Sequence, residues 1–199
     1  MIAWRPLLLA CLLPPLAACN MVISKAPVFT DEDRASVAPR DGIWTSEDRE
    51  CVFDAARSET EWPECAAWLV VRNAGREIWV KDGKGQSERG NYLIAGAKPS
   101  IVQVEYSDEG TEDGNTFYVF FGLEAGPPDP DGRFASVSTW EVQCGVQRKS
   151  PSDIAPYPGI SPECRPSSKD AIRSAAHASR ATAQMAMRWR WLRPETAQR

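Results

Sequence analysis

Ser100-Ile101-Val102-Gln103-Val104-Glu105-Tyr106-Ser107 alternates. Val102, Val104 and Tyr106 share one face of an extended chain, and Gln103 and Glu105 share the other, the two-residue period of a strand with one wet side. The next apolar run, Phe117-Tyr118-Val119-Phe120-Phe121, has no polar face, so a strand built from it needs cover on both sides. Around this pair the chain breaks into short apolar runs separated by Gly, Asp, Asn and Pro. Eight strand candidates result, at 42–46, 51–55, 67–73, 76–82, 91–96, 100–107, 116–124 and 133–145. Asn73-Ala74-Gly75 and Asp113-Gly114-Asn115 are suited to turns, because Asn and Gly tolerate positive φ. Short strands at regular spacing predict a mainly β fold, an eight-stranded antiparallel barrel or sandwich.

The cover for Phe117–Phe121 is sought at the C-terminus. Ser167 and Asp170 have capping-box spacing, the stretch after them is rich in Ala, Met and Arg, and Pro194 ends it. A helix over about 168–193 is expected, with Ile172, Ala176, Ala183 and Met187 on one face and Arg173, His177, Arg180 and Arg188 on another, packed on the sheet. Residues 146–166, with five prolines from Pro151 to Pro166, read as an irregular connector. Charge divides along the same line. From Arg165 onward eight basic residues and two acids give +6, whereas 14 basic and 25 acidic residues in 19–164 give −11. An acidic body argues against nucleic acid as a partner. Trp189 and Trp191, interleaved with Arg188 and Arg190, are candidate membrane contacts, with docking on the acidic body as the alternative.

Arg5 and the apolar run from Pro6 to Pro15 precede Leu16-Ala17-Ala18-Cys19. A charged start, a short apolar core and small residues are the layout of an export signal. Small residues running into a cysteine resemble the lipobox of bacterial lipoproteins. That resemblance implies a signal peptide over 1–18 and Cys19 as the lipidated first residue of the mature chain. It also implies anchoring to a membrane of the cell envelope, with Asn20 favouring the periplasmic face of the outer membrane over the inner membrane. The mature chain has 181 residues, enough for one domain. Residues 19–41 lack periodicity and read as a lipidated tether, which as a random coil of some 22 residues holds the 42–199 domain on the order of 25 Å from the membrane. Val28 and Phe29 are a bulky apolar pair there that can dock on the domain. Cys51, Cys65, Cys144 and Cys164 remain, and four cysteines in an oxidising compartment read as two disulfides. Of three pairings, Cys51–Cys65 with Cys144–Cys164 closes the shortest loops.

Gly42-Ile43-Trp44 at the first strand, eight antiparallel strands and a C-terminal helix resemble the lipocalin and wider calycin pattern. The resemblance implies a Trp44 that closes one barrel end beneath an arginine, for which Arg148 is the candidate, and a small apolar ligand inside.

No nucleophile motif accompanies these features. His177 is the only histidine, set among Ala and Arg, and Glu105 and Glu141 are explained by strand alternation without acid/base chemistry. Asp129-Pro130-Asp131-Gly132 lacks the remaining oxygen ligands of a calcium loop and reads as a turn. No cofactor and no metal are expected. Trp62, in the loop that Cys51–Cys65 would fasten, is either a plug of the barrel mouth or a partner contact. Trp79, opposite Ile78 and Val80, is a candidate exposed ring. With Trp44, Val102, Val104 and Tyr106 these form the candidate ligand or partner contacts. The expectation is a non-enzymatic, periplasm-facing binding or interaction protein that acts through its acidic β-domain, with a barrel for a small apolar ligand as the alternative and an envelope enzyme behind both. A filled barrel with a protruding acidic loop at Asp108–Asp113 would meet a basic periplasmic protein; a hollow barrel would take a small apolar ligand.

Overall fold

The computed structural model describes residues 20–47, 51–63, 65–81, 87–107, 116–149, 153–182 and 186–195. Eight strands close into a barrel: β1 (Gly42–Ser46), β2 (Trp68–Arg72), β3 (Glu77–Lys81), β4 (Ser87–Ala95), β5 (Ser100–Ser107), β6 (Thr116–Ala125), β7 (Ser136–Glu141) and β8 (Met187–Arg193). Each pairs antiparallel with its successor, and β8 returns to β1. The register sets Val104 against Val119, Trp140 against Gly122, Val137 against Trp189 and Trp191 against Trp44. Asn73, Ala74 and Gly75 do turn β2 into β3, with φ of 53°, 55° and 81°. The Asp41 carboxylate accepts the Ala74 N–H at 2.8 Å.

Helix α1 (Lys169–Thr182) lies on the outside of β6 and β7. Ser168, one residue after the expected cap, accepts the Ala171 N–H at 3.1 Å. Ile172, Ala175 and Ala176 are fully buried and meet Phe120, the outward ring of β6. Gly122 leaves room for the Trp140 ring, whose Nε1 donates to the Ala176 carbonyl at 2.8 Å. The aromatic strand is covered as its two apolar faces require.

The helix stops at Thr182, not near 193. Residues 187–193 are the eighth barrel strand, because β7 and β1 would otherwise both present open edges, and because Met187, Trp189 and Trp191 alternate with Arg188 and Arg190. Residues 51–55 form no strand; they lie in the loop that the Cys51–Cys65 disulfide closes. The candidate at 133–145 divides into Arg133–Phe134, β7 and Gly145–Gln147, and the connector is less irregular than expected, since Gly145–Gln147 pairs with Ile154–Pro156. Cys144 is bonded to Cys164.

The segment read as a tether is built into the body. Val22 donates its N–H to the Val142 carbonyl, and Ile23–Ser24 pairs with Val119 and Tyr118 where β7 has left β6. Phe29 is 1% exposed. The Gln103 Oε1 accepts the N–H groups of Val28 and Phe29 at 2.8 and 2.9 Å, and its Nε2 donates to the Phe29 carbonyl at 3.1 Å. The expected wet face of β5 is therefore covered at Gln103, which is 5% exposed. Lys169 bridges to Asp33 at 2.7 Å and ties α1 to the same segment. Ala38–Pro39 then runs parallel to Arg133–Phe134 across one barrel end. Cys19 and residues 1–18 lie outside the described residues.

Candidate functional site

The inward faces of the strands do not meet. They bound a half-open pocket of about 350 Å³, within the range of small-molecule sites. Eight strands leave an interior that side chains just fill or that holds one small ligand. Val102, Val104 and Tyr106 line it as the alternation requires, facing Phe121, Leu123, Leu69 and Val71. Among the described lining residues the polar groups are Ser46, Thr139 and the phenols of Tyr92 and Tyr106, and none is charged. A space with this lining favours apolar molecules over ions.

The floor is made by residues from three segments. Trp44 is 1% exposed, its ring meets Phe134 edge to face at 6.1 Å, and its Nε1 donates to the Arg40 carbonyl at 2.9 Å. Pro39 fills the space beside them and abuts Gly75. Trp191 is half-buried, donates Nε1 to the Asp41 carbonyl at 3.0 Å and lies beneath the Arg40 guanidinium at 5.1 Å. Arg40 is in turn paired with Asp129 at 2.5 Å. Trp44 thus closes one barrel end as expected, but the arginine nearby is Arg40. Arg148 is exposed, next to the Gly145–Gln147 strand, because the chain after Glu141 leaves the barrel. At the opposite end Tyr106 stacks on Phe117 at 5.5 Å, and Met187 is 38% exposed.

Trp189 lines the cavity. It was expected, with Arg188, Arg190 and Trp191, on a membrane-facing helix. In a strand the two indoles turn inward, and Arg188 and Arg190 are exposed, with Arg190 bridging to Glu47 at 3.3 Å. Trp62 neither plugs the mouth nor faces solvent. It is 8% exposed on the outer side of β1 and β2, against Ile43 and Val70, with Phe53 at 4.7 Å and Trp68 at 5.7 Å. Arg193 stands over its ring and bridges to Glu59 at 2.7 Å, so the disulfide loop folds down the barrel's flank. Trp79 is half-buried in the same outer cluster, under the Arg72 guanidinium at 5.6 Å.

The residues considered for catalysis are not brought together. His177 is exposed on α1. Strand β6 separates Glu105 from Glu141, and Glu105 accepts the Tyr118 hydroxyl at 3.3 Å. Burial first, and the Glu105 carboxylate second, push the Tyr118 phenol up. Asp129 accepts the N–H groups of Asp131 and Arg133 at 3.0 Å each, a closed turn with Gly132 at φ +72°. Sequence reasoning missed Leu69, Phe121, Leu123 and Trp189 as lining, although the alternation at 187–191 carried the signal for the last. Comparison with models of protein families, with curated proteins and with solved structures finds nothing that matches this chain, and the site is read from its own geometry.

Proposed function

We propose that this protein is a non-enzymatic binding protein that takes one small, uncharged apolar molecule into its barrel, and that it works from the cell envelope on a lipid carried by Cys19. The observation that carries the reading is the barrel pocket, which has no charged residue among its described lining. Transfer of an apolar ligand from water into such a space is favourable by roughly 25 cal/mol per Å² buried. A charged ligand would lose its hydration with no ion to replace it. The rival reading, a basic periplasmic partner, rests on the −11 of residues 19–164, and a filled barrel with a protruding acidic loop such as Asp108–Asp113, which lies outside the described residues, would favour it. The hollow interior favours the ligand.

An uncharged, environment-sensitive apolar fluorophore is titrated into the protein while energy transfer from Trp44 and Trp189 is followed. One saturable site is expected, with displacement by unlabelled neutral hydrophobes and weaker binding in Val102→Phe, whose ring takes up part of the interior. Absence of saturable binding, or binding unchanged by Val102→Phe, overturns the proposal. Mass measurement of the membrane-extracted protein tests the anchor separately, since a mature form without acyl chains defeats it.

A further inference from the structure

A lipid on Cys19 would be followed at once by structured chain. Asn20 is clamped to the body by three hydrogen bonds. Its Nδ2 donates to the Gly145 carbonyl at 2.9 Å, its Oδ1 accepts the Gly145 N–H at 3.1 Å, and its carbonyl accepts the Cys144 N–H at 3.0 Å. Gly145 has no freedom to drift, because a Cβ there would lie 2.0 Å from the Ala155 carbonyl oxygen. The Cys144–Cys164 disulfide fixes the same spot, and the Cys164 carbonyl accepts the Ile23 N–H at 2.9 Å. Successive Cα atoms are about 3.8 Å apart, so an acylated Cys19 has no slack with which to hold the body away from a bilayer.

The surface around this point differs from the rest of the molecule. Ile23 is 38% and Val146 49% exposed, two of the few large apolar side chains that reach solvent among the described residues. Lys25, Arg148, Lys149 and Arg165 are exposed within a few residues of the clamp. The acids close by in the chain are Glu141, Asp153 and Glu163, and Glu163 accepts the Ser161 hydroxyl at 2.8 Å. Four basic residues against three acids leave this neighbourhood slightly positive on a chain of net charge −4, and, mixed with apolar tips, that fits an anionic lipid surface and not a second copy of this acidic protein.

Resting on the lipid-anchor reading, we propose that the body lies flush on an anionic bilayer, with Ile23, Val146, Lys25, Arg148, Lys149 and Arg165 at the headgroups. The lipid holds the protein down and the patch sets its orientation. The anchor leaves the body beside Cys144 and Gly145, three residues before Ile23 pairs with Val119 of β6.

Neutron reflectometry of the full-length acylated protein on supported bilayers tests this, after mass measurement has established the acyl chains. Without acylation the anchor reading fails first, and the flush geometry falls with it. With acylation, protein density should begin at the headgroups with no water layer. A variant with a flexible Gly/Ser insertion of some 20 residues between Cys19 and Asn20 should open a gap on the order of 25 Å. A gap of that size in the unmodified protein overturns the proposal while leaving the anchor intact. Reversing Arg148, Lys149 and Arg165 to Glu in the insertion variant should widen the gap on anionic bilayers and leave it unchanged on neutral ones. An equal gap on both overturns the role of the basic patch.

Discussion

Gln103 is a polar side chain that performs a structural task usually left to backbone. Its amide is matched on both sides by Val28 and Phe29, and it is almost fully buried. Gln103→Leu leaves two N–H groups and one carbonyl buried without partners. At about 1–3 kcal/mol for each unsatisfied group, the expected loss in urea unfolding is at least about 2 kcal/mol; a loss within error would mean that this segment does not depend on the amide. Asp33 carries the next fastening. The Lys169 ammonium, and then the Thr30 N–H, hold its carboxyl below the ordinary 3.8. A depressed folded pKa means that its contribution is complete above the unfolded value and is lost as pH falls through it toward the lower folded one. Asp33→Asn should therefore lower the melting temperature at neutral pH and flatten its decline below about pH 4. It should not abolish that decline, since Asp31 is also held low, first by the hydrogen bond from Arg34, and Asp129, first by the Arg133 N–H. A variant whose acid decline parallels the wild type would show that the Lys169 contact is not formed in solution.

Helix α1 depends on the missing side chain of Gly122. A Cβ there would sit 2.2 Å from the Trp140 ring, which Ala176 holds by a hydrogen bond and Arg180 covers at 5.4 Å. Gly122→Ala should cost about 1–3 kcal/mol as overpacking and raise amide exchange across α1 more than across β2 and β3. Uniform destabilisation would mean that the helix is not seated through Trp140. The need for such a helix was legible, because Phe117–Phe121 has no polar face. Its length was not. Ala, Met and Arg are helix formers locally, and nothing near residue 187 tells that β7 lacks a neighbour. Barrel closure, a non-local demand, overrides the propensity and takes 187–193 as a strand. The segment at 20–41 was misread for a related reason: its partners Gln103, Val142 and Phe134 are remote in sequence, so its own text shows no period. The disulfides were legible from loop length, and peptide mapping without reduction should yield Cys51 with Cys65 and Cys144 with Cys164. A crossed pairing would contradict the present strand order.

The whole molecule is a barrel supported from outside and empty within. Its outer layer, formed by α1, the N-terminal segment and the disulfide loop, is packed with fully buried residues such as Ile172, Phe29 and Val22, while the inward alternation leaves about 350 Å³ unfilled. Voids forfeit dispersion contacts, so an unliganded barrel of this kind is less stable than its composition allows. The sign of a small-to-large change inside therefore separates a hollow barrel from a filled one. In a packed core Val102→Phe would strain its neighbours and cost about 1–3 kcal/mol. In a hollow one the ring enters empty space beside Leu123 and Phe121, buries apolar surface and should stabilise by about 0.5–2 kcal/mol, the usual gain from filling a cavity. The expected result is a higher melting temperature together with weakened fluorophore binding. Adding an apolar ligand at one fixed concentration should raise the wild-type melting temperature, by mass action on the folded state, and raise that of Val102→Phe less. A lower melting temperature for the variant would mean that the interior is filled in solution, and the ligand reading would fall with it.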